Sequence, residues 1–122
     1  MATHDWRQVA DALSGALRPL RSGAEDPMKA FAALSRAALE PKALDVKAKE
    51  LIALAVSVAT RCDGCIAFHA QAAVRAGASR EEMLETMGMA IYMGAGPSVM
   101  YAAQALEAFD QFASPRPDSA GA

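Results

Sequence analysis

Aromatic residues are scarce in this chain, at 6% of 122 residues. Runs of alternating β-branched and polar residues are scarce too, which argues against a core built from sheets. No face of the sequence is strongly basic. The formal net charge is −2, with acidic and basic residues interspersed, so nucleic acid is not an expected partner. No apolar run is long enough to span a bilayer. The most apolar stretch, Leu51 to Ala59, ends at Thr60-Arg61. No basic-then-apolar signal opens the chain, so a soluble, cytoplasmic protein without a membrane partner is expected. Neither a G-x-G-x-x-G nor a Walker pattern occurs, which excludes the usual phosphate loops. The chain has only two cysteines, too few for an all-thiolate zinc site. Ile66, not histidine, follows the second of them, which excludes c-type haem attachment.

What the chain does have is helix formers. Ala, Leu, Met, Glu, Lys and Arg dominate, and they predict an all-α fold of about six helices. Hydrophobic residues make up 53% of the chain, enough for one domain, expected over residues 1–113. A small domain this apolar is expected to bury part of its surface in a homo-oligomer. The Pro/Ser/Gly/Ala-rich tail, 114–122, is expected to be disordered.

Local signals place the helices. Thr3 or Asp5 can cap a first helix that runs to about Leu17, with Arg18-Pro19 and Ser22-Gly23 as breaks. Asp26 reads as the N-cap of a second, Pro27 to Ala38, with proline at the first helical position. Asp45 can cap a third, Val46 to about Thr60, whose second half is apolar nearly all round, as in a buried helix. The fourth starts at Cys62 or Asp63 and ends at Gly77. Ser79 with Glu82 forms a capping box for a fifth, to about Met93. Gly94-Ala95-Gly96-Pro97 is a break, and a sixth helix follows from Pro97 to about Ala113. The first two helices read as a cover over a core made by the last four. Met83, Met87, Met89 and Met93 fall at helical spacing and read as a core or subunit-interface face.

Both cysteines and one of the two histidines lie in RCDGCIAFHA, residues 61–70. Cys62, Cys65 and His69 are three and four residues apart, so a helix carries them on one face. The cysteines fall at the helix start, where free N–H groups and the macrodipole stabilise a thiolate. His69, one turn beyond Cys65, can accept the thiol proton. Glu50 lies about 15 Å before the end of the third helix, and Cys62 to His69 covers about 10 Å, at roughly 1.5 Å per residue. If the two helices pack antiparallel, Glu50 approaches His69 and can orient the imidazole. Two other readings stay open for the cluster. The cysteines can be small buried core residues, or they can join His69, Glu50 or His4 around a zinc shared between subunits. His4 itself reads as a solvated residue near the terminus, and Tyr92 and Tyr101 as structural.

Glu50, Cys62, Cys65 and His69 together form E-x11-C-x2-C-x3-H. With the surrounding text, from KELIALAVSVATRCDGCIAFHAQAA through to about Phe112, the chain resembles the carboxymuconolactone decarboxylase superfamily in its alkylhydroperoxidase AhpD-like branch, over about residues 42–112. The resemblance implies an all-α fold in which the Cys-x-x-Cys opens a core helix, and an obligate homo-oligomer, a trimer or hexamer. It implies a thiol-dependent, peroxide-reducing antioxidant enzyme acting on a hydroperoxide. Cys65 would attack the peroxide, Cys62 would resolve the sulfenic acid into a disulfide, and Glu50 and His69 would carry protons. A lipoyl- or thioredoxin-like dithiol protein would restore the thiols. No cofactor and no metal are expected. The paired cysteines argue against lactone decarboxylation. One position departs from the pattern: members with well-defined peroxidase activity often carry a second histidine where this chain has Gly64. A redox-sensing or interaction module with little turnover is the alternative, beside the zinc-stabilised oligomer.

Overall fold

Asp5 begins the regular structure. Its carboxylate accepts the Gln8 N–H at 3.2 Å, and helix α1 runs Trp6–Gly23. The structure is a computed structural model that describes residues 1–116. Within them the chain is helical: α1 is followed by α2 (Glu25–Leu39), α3 (Val46–Ala59), α4 (Asp63–Arg75) and α5 (Arg80–Ala113). Most of the tail expected to be disordered, residues 117–122, lies outside the described residues.

The ends of several helices follow local chemistry. Asp45 caps α3 by accepting the Ala48 N–H at 2.8 Å. Ser79 and Glu82 form the expected capping box at the start of α5. Gly77, at φ 87°, closes α4. The left-handed backbone there is open to glycine without a Cβ penalty.

Two boundaries differ from the sequence reading. First, α1 does not stop before Pro19 but contains it. Proline removes one N–H donor, but good helix formers flank it on both sides, and the helix runs on until the Ala24 N–H closes onto the Leu20 carbonyl at 2.8 Å. Second, α2 begins at Glu25, so Asp26 is a helical residue and Ala24 is the N-cap, without a side-chain bond. Pro27 then occupies the first turn, where N–H groups lack helical partners anyway, while Glu25 and Asp26 suit the positive end of the helix dipole. The break expected at Gly94-Ala95-Gly96-Pro97 is present as a kink, at which two helical stretches join to form α5 without a loop. Ala95, at φ 54° and ψ −141°, is the non-helical residue inside α5. A β-carbon on Gly94 would meet Ser98 Oγ and stand 2.8 Å from Ser98 Cβ, so the kink would have to shift to admit one.

Helices α3, α4 and α5 pack against one another, and α1 lies on α4 and α5. Leu54 and Val58 of α3, Ile66 of α4 and Met83 of α5 are fully buried among small Ala70, Ala73, Ala105 and Ala108. Alanine at these positions lets helix axes approach closely, and the long side chains fill the gaps. The methionine face divides: Met83 and Met87 enter the core, while Met89 and Met93 are exposed.

The expectation that both leading helices are mere cover holds for α2, which has no buried residue, but not for α1. Trp6 is completely buried. Its backbone N–H donates to Gln111 Oε1 at 2.7 Å and its indole N–H to Glu107 Oε1 at 2.9 Å. Glu107 also accepts from the Thr3 hydroxyl and the Thr3 and His4 backbone N–H groups. Burial alone would raise this carboxyl, but the hydrogen bonds from Thr3, Trp6 and His4 outweigh it and hold its pKa down to about 2. His4 is therefore not a solvated residue. It is half-buried, and its ring lies 4.6 Å from that of Trp6. Tyr101 packs against the core, whereas Tyr92 is exposed. Among the described residues, no helix is long and apolar enough to cross a membrane.

Candidate functional site

The site begins with the way α3 ends. The Thr60 N–H returns to the Val56 carbonyl at 2.8 Å, the Arg61 N–H to Val58 at 3.1 Å and the Cys62 N–H to Ser57 at 3.0 Å. The last two bonds form a Schellman-type close, with Arg61 in the left-handed conformation at φ 58°. This turn folds α4 back along α3. Cys62 is extended and serves as the N-cap of α4, its Sγ accepting the Cys65 N–H at 3.1 Å. Sulfur here does what serine or aspartate oxygen does at ordinary helix starts.

Cys62 and Cys65 form a disulfide, with Cα atoms 5.2 Å apart. Both are half-buried. The reading of the pair as two inert buried core residues is therefore not what the structure contains. Gly64, between them, faces α1. A β-carbon at 64 would stand 2.7 Å from Leu13 Cδ1.

One turn beyond Cys65, His69 Nδ1 lies 2.7 Å from Glu50 Oε2. The antiparallel pairing of α3 and α4 thus brings together the two residues whose meeting the sequence left conditional. Glu50 is only 5% exposed. A carboxylate accepts hydrogen bonds, so Nδ1 is the donor in this contact; in a neutral imidazole that leaves Nε2 as the acceptor. The imidazole is half-buried and borders a cleft of about 330 Å³ lined by Ser35, Ala38 and Leu39 of α2 and by Lys49, Ile52 and Ala53 of α3. The Lys49 ammonium fastens one wall of that cleft. It donates to the Ala38 carbonyl at 2.8 Å and the Glu40 carbonyl at 2.6 Å, at the C-terminal end of α2.

All four sequence candidates, Glu50, Cys62, Cys65 and His69, therefore lie on the facing helices α3 and α4 and the turn between them. His4 does not join them, because it belongs to the Trp6 and Glu107 network. Among the described residues, no group of three or more His, Cys, Asp or Glu side chains is arranged to hold a metal ion. Three features were not legible beforehand: the Lys49 clasp, the left-handed Arg61 and the contact of Leu13 with Gly64. The one sequence signal for the second was a helix end with no glycine or asparagine after it.

The chain is similar to known proteins in sequence and in fold. It superposes on the crystal structure of a carboxymuconolactone decarboxylase family protein from Legionella pneumophila with a TM-score of 0.87 and 49% identity, covering 89% of this chain and 97% of the other. An uncharacterized protein of Haemophilus influenzae is 41% identical over 105 residues, covering 86% of this chain and 93% of that protein. An uncharacterized protein of Cupriavidus necator is 43% identical over 83 residues, covering 68% of this chain and 74% of that protein. The model of the carboxymuconolactone decarboxylase family matches residues 25–108, which take in α2 through nearly all of α5 and all four candidate side chains. The chain belongs to the carboxymuconolactone decarboxylase family.

Proposed function

We propose that the protein is a thiol-dependent peroxide-reducing oxidoreductase that cycles through the Cys62–Cys65 disulfide. The observation that carries this reading is the 2.7 Å contact of buried Glu50 with His69, one helical turn from a disulfide at the start of α4. A carboxylate-held imidazole next to paired thiols supplies a base beside a nucleophile and a resolving group.

The chemistry balances with an organic hydroperoxide and an external dithiol. His69 Nε2 accepts the Cys65 thiol proton, and Glu50 stabilises the imidazolium. The Cys65 thiolate attacks the terminal peroxide oxygen. The S–O bond forms, the O–O bond breaks, and the departing alkoxide takes the proton from His69 to leave as an alcohol. Cys65 is then a sulfenic acid. Cys62 attacks its sulfur, the disulfide forms, and water departs. The external dithiol reduces the disulfide by two thiol–disulfide exchanges and becomes a disulfide itself. The Cys65 N–H that reaches Cys62 Sγ favours a thiolate at Cys62, as a resolving thiol needs.

The proposal extends to assembly. Ile52 and Val56 of α3 and Met89, Tyr92 and Met93 of α5 are exposed, Tyr92 at 78% and Met93 at 76%. Large apolar side chains so open to water support a homo-oligomer that covers them. The dithiol donor is proposed to be a lipoyl- or thioredoxin-like protein.

The test is intact mass with thiol counting on the reduced protein, before and after one equivalent of an alkyl hydroperoxide. The expected result is rapid loss of both thiols and of two hydrogens' mass, with a sulfenic acid at Cys65 in Cys62→Ser. Thiols that stay reduced through the treatment would sink the reading.

A further inference from the structure

The helix ends that flank α4 use the same turn with different residues. After α4, the Gly77 N–H returns to Val74 at 3.0 Å and the Ala78 N–H to Ala73 at 3.0 Å, with Gly77 at φ 87°. After α3, the same two bonds form around Arg61 at φ 58°. Glycine takes this backbone freely, whereas a residue with a β-carbon is strained in it. The two closing backbone bonds hold that conformation; the side chain adds none. Arg61 is exposed, and among the described residues its guanidinium makes no hydrogen bond or ion pair. A cation with no partner among the described residues is thus held in an unfavourable backbone conformation directly before Cys62, with Cα atoms about 3.8 Å apart across the peptide. Strain retained next to reactive groups is where a functional role is to be sought.

The local charges define the role. Asp63, exposed on the other side of Cys62, repels an approaching anion. Arg61 offsets that repulsion with a planar guanidinium suited to a carboxylate. We propose that Arg61 is a specificity-determining residue that draws carboxylate-bearing reactants to the Cys62–Cys65 pair. The inference rests on the redox reading of that pair, but not on which oxidant the pair consumes. It names the class of small molecule favoured there: an electrophile or disulfide with a carboxylate close to its reacting atom. Attraction by a partly exposed charge is screened by salt.

The test compares two alkylating probes that differ in charge, anionic iodoacetate and neutral iodoacetamide, on the fully reduced protein. Any change in thiolate population affects both probes alike, so the ratio of their rates isolates attraction for the anion. Arg61→Gln removes the charge and keeps the strained backbone. Arg61→Lys keeps the charge, and Arg61→Gly removes both charge and strain. The expected result is an iodoacetate-to-iodoacetamide ratio about threefold lower in Arg61→Gln and Arg61→Gly than in wild type, retained in Arg61→Lys, with the wild-type advantage shrinking at high salt. Equal ratios in wild type and Arg61→Gln overturn the inference. Peroxide consumption by the wild-type protein, measured separately, decides the proposed function: its absence sinks that reading and leaves the probe ratios free to decide this one.

Discussion

Leu13 of α1 closes on Gly64 so tightly that a β-carbon at 64 would come within 2.7 Å of Leu13 Cδ1. One of the two residues between the cysteines is therefore tied to how the N-terminal helix docks. Gly64→His, which would install an imidazole between the thiols, is expected to destabilise the fold by about 1–3 kcal/mol, as overpacking does. Leu13→Ala carries its own cost for lost packing, but the double variant should be more stable than the sum of the two single effects predicts. Denaturant unfolding of the four proteins checks this. A Gly64→His variant as stable as wild type would mean that Leu13 yields without cost.

The Glu50–His69 pair predicts a kinetic signature. His69→Ala should slow peroxide-driven disulfide formation by about 10²-fold or more, the lower range for general acid–base catalysis. Glu50→Gln keeps an oxygen that can accept the Nδ1 proton but loses the charge that stabilises the imidazolium, and it should slow the step by less. Because the two residues act as a unit, the double variant should be little slower than His69→Ala alone. Stopped-flow measurement of thiol loss separates these cases, and fully multiplicative effects would show independent roles.

Glu107 sets an acid limit on stability. Its folded pKa, about 2, lies below the ordinary value of 4.5. The stabilisation it gives is complete above the unfolded value and is lost as pH falls through 4.5 towards 2. Thermal melts between pH 7 and pH 2 should show this loss in wild type and a flatter dependence over the same window in Glu107→Gln. The variant should also be less stable at pH 7, because Thr3, His4 and Trp6 lose a charged acceptor.

Lys49 provides a local prediction. Its two bonds to the Ala38 and Glu40 carbonyls fasten a helix that has no buried residue of its own. Lys49→Met should cost about 1 kcal/mol overall. The larger effect should be local, as faster amide exchange in α2 with α4 unchanged. Uniform loss of protection across the molecule would show that α2 does not open independently.

These results also show what the sequence could convey. Caps carried most of the legible information. Asp45, Ser79 with Glu82, and Gly77 act through bonds within a few residues, and each was placed correctly. The candidate cluster was legible because Cys62, Cys65 and His69 share one helix, and spacing alone puts them on one face. Glu50 was legible only on the assumption of an antiparallel partner, which the turn at Arg61 provides. The misreadings had a different origin. Pro19 and Pro27 look like boundary marks, but a helix tolerates a proline where the lost bond is single or falls in the first turn. Trp6 and His4 were invisible as anchors because their partners, Glu107 and Gln111, lie about a hundred residues away. Nothing local to either segment announces that pairing.

The same long-range pairing has a topological consequence. Gln111 holds the Trp6 N–H and donates from its own amide to the His4 carbonyl at 2.8 Å, while Arg7 donates to the Gln111 carbonyl at 2.6 Å and the Ser114 carbonyl at 2.7 Å. The path of the described chain is thereby nearly a closed loop, its first and last helical turns side by side. A circular permutant that links these two regions through a short flexible peptide and opens new ends in the exposed segment between Glu40 and Asp45 would keep the core helices, the turn at Arg61 and the Glu50–His69 contact in their present order.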